Sequence, residues 1–511
     1  MKFLPNLFPS SRQAPTVTTW RFWGLLGLLG LILLSRLWLL STGGALSFPD
    51  EDRYLESIKA AHLLLTGDLE LAALHLANTQ GRPSDALLRL PVALAQVAWQ
   101  HFGGPPPETP ASLLLPQLMN YMVLLGNTLL LCKLGRSWLS SSAALLAGLV
   151  YAALGNSNIY LRHVLPYDLA LLILLGTLVL LTQPYRPIGN VRRIGLLTGL
   201  LAWGVVAVYP GYYFAPLLIG SVLLMQLPRA SWHRGLFWML SGASLLILTL
   251  ELITRYGHIS YLRSLQTLGP SIIQGDFAEG FTFTGRYLWE IEGTLGVLLL
   301  LLALPGIAVL VRSGVQNRKL LPLALAPLGL WLLHACLVYF GHKFVFYGRI
   351  LHFFIPFLVL HAVTALTALP PMLRRLGQGV LVGLALWGFV RFISQYERLA
   401  YPRDVLARLG VSAQDQLTYL NEHGLAHAWD YSAPPAGKLV NSGGRSLLLI
   451  NFTYPYPLSP DRCVSVPAQA APLLFSGPHF LTFPAYGFEG FTPPERHFLR
   501  SCPFQCRVYQ K

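Results

Sequence analysis

Asp50, Glu51 and Asp52 stand side by side in the stretch SFPDEDRYLESIKAAHLLLTGD, residues 47–68, directly after a long apolar run. Glu56 and Asp68 follow closely. A carboxylate at such a place can take the proton of a hydroxyl. It can also cap a helix: Asp50 suits an N-cap, and Glu51 and Asp52 suit the dipole of a first turn. Capping explains one acid well and three less well. A second pair is Arg162 and Asp168 in RHVLPYD, where Pro166 suits the first turn of the next helix. Asp168 is then an acid inside an apolar segment, favoured by the helix dipole or kept for function. Glu251 with Arg255 and Lys343 with Arg349 complete the set. Two cations as close as Lys343 and Arg349 suit an anionic phosphate at a membrane interface, or form an ordinary snorkelling pair. Lys59 and His62 are further cations beside the acids.

The elements that must position these groups are membrane helices. The chain has 511 residues, 54% apolar and only 12% charged, where a soluble domain is about a quarter charged. A span needs about 20 apolar residues. Eleven such stretches are expected: 21–41, 112–132, 138–154, 164–182, 194–208, 211–227, 235–254, 293–311, 320–340, 350–369 and 377–393. The fifth and sixth are short and meet at Tyr209-Pro210-Gly211, so a broken hairpin is an alternative.

The net charge of +15 could suggest nucleic acid, but its distribution points to a bilayer. With the N-terminus cytoplasmic, the inner segments carry Lys2, Arg12, Arg21, Lys133, Arg136, Arg186, Arg192, Arg193, Arg229, Arg234, Arg312, Arg318, Lys319, Arg374 and Arg375, and no acid. All 22 acids fall outside or near the outer interface. That is the positive-inside bias at every loop, and no nucleic-acid motif accompanies it. The first span reads as a retained signal anchor. Cys132 and Cys336 lie in spans as small core residues. Cys463, Cys502 and Cys506 lie in the tail, where one disulfide with one cysteine left over is expected. They lack the paired spacing of a zinc site.

This gives a short cytoplasmic segment, 1–20, a transmembrane unit, 21–393, and a tail, 394–511. The first external loop, 42–111, carries two helices that lie in the interface. One has Leu55, Ile58, Ala61 and Leu65 on its apolar stripe, with Glu56, Lys59 and Asp68 off it. The other, 84–102, has an apolar face interrupted by Arg89, Gln96 and Gln100. Shorter external loops are 155–163, 209–210, 255–292 and 341–349. The tail reads as a small mixed α/β external domain, helical at 415–423, with strands in SLLLINFTY and CRVYQ.

The order of these features resembles the GT-C superfamily of membrane glycosyltransferases that use polyprenyl-phosphate-linked sugars, and within it the protein O-mannosyltransferase and aminoarabinose transferase branch. Asp50-Glu51 with Tyr54 and IKAAHLLLTGD is similar to that family's acidic pair and interfacial helix. Arg162 with Asp168 is similar to its second external loop. GLLTGLLAWGVVAVYPGYYFAPLLI is similar to its fifth and sixth helices, except that Tyr209-Pro210 stands where the family has a cation. FYGRILHFFIPFLVLHA is similar to its late arginine and Pro-containing span. The likeness covers residues 45–395 and leaves out the tail.

The resemblance implies an all-α polytopic membrane protein of the plasma (inner) membrane, with about eleven transmembrane helices. It implies transfer of a sugar from a polyprenyl-phosphate donor to the hydroxyl of an acceptor lipid, glycan or protein on the extracytoplasmic face, among membrane lipids. Asp50 or Glu51 would be the general base, and Asp168 would orient an arginine or a sugar hydroxyl. Arg162, Arg255, Lys343, Arg349 and Lys59 would bind the donor phosphate, with His62 a weaker partner. One displacement would invert the anomeric centre. No cofactor is required, though Asp50, Glu51 and Asp168 offer oxygen ligands for a divalent metal. A transporter or flippase, or a non-catalytic envelope-polysaccharide assembly protein, is the competing class. The first would show broken spans near the midplane and repeat symmetry.

The charge distribution makes sidedness testable. Cysteines engineered at Gln316 and Gln378 should react with an impermeant maleimide only from the cytoplasm, and one at Gln469 only from outside. Labelling of Gln316 from outside would move every proposed site residue to the wrong face.

Overall fold

A computed structural model describes residues 17–41, 51–77, 83–104, 113–182, 190–273, 279–316, 318–399, 405, 408–410, 416–420, 446–451, 471–478, 482–489, 491, 493–501 and 505–510. The first described helices are α1 (Val17–Ser41), α2 (Asp52–Thr66), α3 (Leu69–Ala77) and α4 (Pro83–His101). Next come α5 (Leu114–Gly135), α6 (Ser141–Ala153), the short α7 (Gly155–Asn158), α8 (Tyr167–Thr182), α9 (Val191–Val208), α10 (Ala215–Gln226) and α11 (Trp232–Tyr256). Two helices, α12 (Tyr261–Ile273) and α13 (Gly280–Glu292), precede α14 (Thr294–Gln316), α15 (Leu321–Tyr339), α16 (Gly348–Thr367) and α17 (Pro371–Tyr396).

Among the described residues, eight helices are long and apolar enough to cross a membrane, or nine if α6 and its bent continuation form one span. The expected eleven is reached only by adding the two shorter apolar helices α8 and α10. The chain is a helical, multi-pass membrane protein. α16 is its most enclosed long helix, with 89% of its apolar window inside the bundle. α9 and α10 are separated at Tyr209, where extended backbone leads into a 3-10 turn, Pro210–Tyr212.

Helix α2 buries Tyr54, Ser57, Ile58 and Ala61, three and four residues apart, against α4. Leu65, expected on this face, is 63% exposed. The buried stripe is rotated because small residues, Ser57, Ala60 and Ala61, let the two helices approach. The supposed interruptions on α4 point inward as well: Arg89 and Gln96 are buried. Arg89 Nε donates to Asp85 Oδ1 at 3.0 Å, Nη1 to Asn120 Oδ1 at 3.2 Å and Nη2 to the Leu165 carbonyl at 2.7 Å. An arginine with three partners is accommodated where an unpaired one would be excluded.

The segment 155–163, expected as an external loop, is buried throughout. α6 stops because Leu154 is extended, and the chain resumes as α7 and a 3-10 turn, Ile159–Arg162, at 67° to α6. Glu292, the last residue of α13, caps the new start. Its Oε2 accepts from Gly155 N–H at 2.9 Å and its Oε1 from Asn156 N–H at 2.8 Å. These are donors that a helix start leaves without intrahelical partners.

The tail contributes a four-stranded sheet in the order β1-β2-β4-β3. Its strands are β1 (Gln416–Leu420), β2 (Ser446–Asn451), β3 (Leu473–Pro478) and β4 (Gln505–Gln510). β1 runs parallel to β2, while β2 and β3 are antiparallel to β4. The expected strands in SLLLINFTY and CRVYQ are β2 and β4. The helix expected at 415–423 is wrong in its described part, which is β1. There Thr418 and Tyr419 favour a strand once a neighbour offers a ladder. α18 (Pro484–Gly487) and α19 (Pro493–Ser501) lie between β3 and β4. Cys506 is free and buried, so the tail disulfide does not include it. Cys463 and Cys502 lie outside the described residues.

Burial raises the Glu292 carboxyl from 4.5 to about 7, against the pull of the two amide bonds and Arg391. A raised acid pKa means that the folded chain holds a proton the unfolded chain has already lost, so this contribution to stability is present below 4.5 and is lost as pH rises through about 7. Thermal unfolding of the detergent-solubilised chain between pH 4.5 and 8 should show this decline, and Glu292→Gln should flatten it. An unchanged slope in the variant would show that Glu292 does not carry the dependence.

Candidate functional site

The polar residues of the bundle gather where α7, α8, α13, α16 and α17 meet the start of α2. Glu51 immediately precedes α2 and is wholly buried. Its Oε1 accepts from Val164 N–H at 2.7 Å, and its Oε2 lies 3.2 Å from His163 Nδ1. His163 Nε2 lies 2.5 Å from the hydroxyl of Tyr486, on α18. Carboxylate, imidazole and phenol thus form one buried chain. Tyr486 also reaches Tyr396 at the end of α17, hydroxyl to hydroxyl, at 3.5 Å. Arg162 is buried beside it, its guanidinium 4.8 Å from the centre of the Tyr396 ring and its Nη1 donating to the Tyr396 carbonyl at 3.4 Å.

A second buried chain runs through α8 and α16. Asp168, in the first turn of α8, has Oδ1 3.0 Å from His352 Nε2. His352, on α16, has Nδ1 2.6 Å from Asn156 Oδ1, and Asn156 Nδ2 donates to the Tyr287 hydroxyl at 2.5 Å. Asn156 is fixed by the same Glu292 that caps α7, so the cap also orients the imidazole partner of Asp168. Asn127 Nδ2 donates to the Asp168 carbonyl at 3.0 Å.

Arg349, at the start of α16, links the chains to the tail. Its Nη1 donates to the Tyr167 hydroxyl at 3.0 Å and its Nη2 to the Glu489 carbonyl at 3.1 Å. Its guanidinium covers the Tyr347 ring at 4.3 Å. The Glu489 carboxylate lies 3.6 Å from Arg349 Nε and accepts from the Tyr160 hydroxyl at 2.5 Å. Burial raises the Glu489 carboxyl above its ordinary value, more than Arg349 and Tyr160 lower it. The Tyr160 ring touches both Tyr167 and His352, with centroids 4.9 and 5.5 Å away.

Of the residues singled out from sequence, Glu51, Arg162, Asp168 and Arg349 come together here. Asp50 lies outside the described residues. Arg255 and Lys59 pair within their own helices, with Glu251 and Glu56, at 2.7 Å each. Lys343 and His62 are exposed. Burial pushes the Glu56 carboxyl up, but hydrogen bonds and charge from Lys59 and His75 outweigh it and leave it below its ordinary value. Among the described residues, no three His, Cys, Asp or Glu side chains cluster as metal ligands.

Several residues here were missed in the sequence: Asn156, His163, His352, Tyr486 and Glu489. His352 had a signal, an ionisable group inside an apolar span. So did Arg36 on α1, which is buried and donates from Nε to Asn158 Oδ1 at 2.6 Å. Tyr486 and Glu489 had none, because nothing local to FPAYGFE says that it folds back onto α13 and α16.

No protein-family model matches the chain, and no curated protein matches it at significance. Solved structures do. The crystal structure of ArnT from Cupriavidus metallidurans in the apo state is similar with a TM-score of 0.50 and 14% identity, over 84% of this chain and 93% of that one. The structure of the same protein bound to undecaprenyl phosphate is similar with a TM-score of 0.51 and 12% identity, over 85% of this chain and 94% of that one. The chain therefore shares the polytopic helical fold of those two structures.

Proposed function

We propose that this chain is a glycosyltransferase that moves a sugar from a polyprenyl-phosphate donor to an acceptor hydroxyl at the extracytoplasmic face of the inner membrane. The observation that carries the reading is the gathering of Glu51, Arg162, His163, Asp168 and Arg349 at one end of a bundle whose fold is shared with an undecaprenyl-phosphate-bound structure. The N-terminus is then cytoplasmic and the tail, 394–511, extracytoplasmic.

In the reaction, the acceptor oxygen bonds to the anomeric carbon as the bond from that carbon to the phosphate oxygen breaks. The bonding pair leaves with the phosphate, and the hydroxyl proton passes to a carboxylate base. We assign the base to Asp50. Glu51 stands beside it, but both Glu51 oxygens are engaged, which suits a residue that holds His163 and the 163–165 turn. Arg349 is the leading partner for the leaving phosphate: it is partly exposed, anchored on three sides and set at the start of a span. Asp168 fits a positioning role through His352. A divalent metal would have to draw on Asp50 together with Glu51 or Asp168, both of which already hold histidines.

The break between α6 and α7 favours a second reading, a lipid transporter, since broken helices often build transport sites. The two readings separate at Asp50→Asn. This variant keeps size and can still cap a helix. A transferase should keep undecaprenyl-phosphate binding and lose sugar transfer by two or more orders of magnitude, within the roughly 10²–10⁴ range of acid–base catalysis. A transporter would tolerate the change. Arg349→Gln should weaken undecaprenyl-phosphate binding at least tenfold, about 1.4 kcal/mol. Normal transfer in both Asp50→Asn and Glu51→Gln would remove the centre of the reading.

A further inference from the structure

The tail places an acid inside the candidate site. α18 and the turn after it bury Phe483, Tyr486 and Phe488. Phe488 packs edge-on against Phe283 and Tyr287 of α13, with centroids 5.4 and 5.2 Å away, and its carbonyl accepts from Gly348 N–H at 3.0 Å. These contacts drive the next side chain, Glu489, into the bundle, where it is only 7% exposed. Gly348 makes room for it: a Cβ there would lie 2.6 Å from Glu489 Oε1.

The carboxylate is not what positions Arg349. The guanidinium is already held by the Tyr167 hydroxyl, the Glu489 main chain and the Tyr347 ring. What the side chain adds is a negative charge 3.6 Å from Nε, in a setting where charges are poorly screened. A glutamine would fill the same space and still accept from Tyr160. The residue present is therefore the one that opposes a second anion on Arg349.

We propose that Glu489 is a resident anion of the phosphate seat, competing with the lipid phosphate for Arg349 and so lowering the affinity for polyprenyl phosphate. This rests on the reading that Arg349 receives the donor phosphate. Its consequence is greatest after transfer. The donor is a phosphodiester with one negative charge, whereas the leaving lipid is a phosphomonoester that carries more. Glu489 therefore weakens product more than donor, and helps the seat to clear between turnovers.

The test is binding of undecaprenyl phosphate to the full chain in detergent micelles. Glu489→Gln should bind at least fivefold more tightly than wild type, and Glu489→Ala, which also removes the charge, must show a gain. Glu489→Asp, which keeps the charge, should stay nearer wild type. A merely structural role moves affinity the other way, so unchanged or weaker binding in Glu489→Gln and Glu489→Ala overturns the proposal. Arg349→Gln separates the two levels of inference. If it binds undecaprenyl phosphate as well as wild type does, Arg349 is not the seat and the inference falls with that assignment. If it binds less well while the Glu489 variants show no gain, the seat stands and only the role of Glu489 is wrong.

Discussion

A backbone that leaves helical geometry inside a membrane bundle must find new partners for its N–H and C=O groups. The chain does this at Leu154, and the site depends on how the break is satisfied. Glu292 takes the first two amides of α7, and Asn158 Nδ2 donates to the carbonyls of Ala152, at 3.1 Å, and Leu154. With those groups settled, residues 155–165 pack as an interior wall. Asn156 then faces His352, and the 3-10 turn delivers Arg162 and His163 between α17 and α2. A straight continuation of α6 would have carried the same residues away from Asp168 and Arg349.

Charge is the second constraint. Arg36, Arg89 and Arg162 are all nearly or wholly buried. Buried charge is tolerated only with good partners, and removing one partner of a buried pair costs about 3–5 kcal/mol. The bundle meets this with carbonyls, amides and carboxylates drawn from distant parts of the chain: Asn158 for Arg36, Asp85 with Leu165 for Arg89, and Tyr396 for Arg162. The same residues that accept hydrogen bonds from these guanidiniums therefore also tie α1, α4, the α6–α7 break and α17 to one another. Chemistry that needs a base and cations together is best placed at that junction.

The tail completes the junction. Phe483, Tyr486 and Phe488 cover the aromatic surface of α13 and α17, and Tyr486 closes the chain from Glu51 through His163. Arg496 on α19 adds an ion pair with Glu279, just before α13. A segment that looked like an appended domain is thus part of the wall around Arg349.

Apolar length and charge sidedness, read along the sequence, were enough to establish a multi-pass helical bundle, because the hydrocarbon layer imposes its length on each span independently of the others. The acids at 50–52, Arg162, Asp168 and Arg349 could be singled out for the same reason: a charge near apolar segments is conspicuous wherever its partner lies. The strands β2 and β4 were legible from short apolar runs, residues 447–450 in one and Val508-Tyr509 in the other. Pairing was not. Whether Glu51 meets His163 and whether Asp168 meets His352 are decided by contacts across many residues of chain. β1 became a strand only because β2 lay alongside it. The inward turn at 155–165 and the insertion of Glu489 were likewise settled by tertiary packing, since both depend on a carboxylate or an aromatic face supplied from more than a hundred residues away.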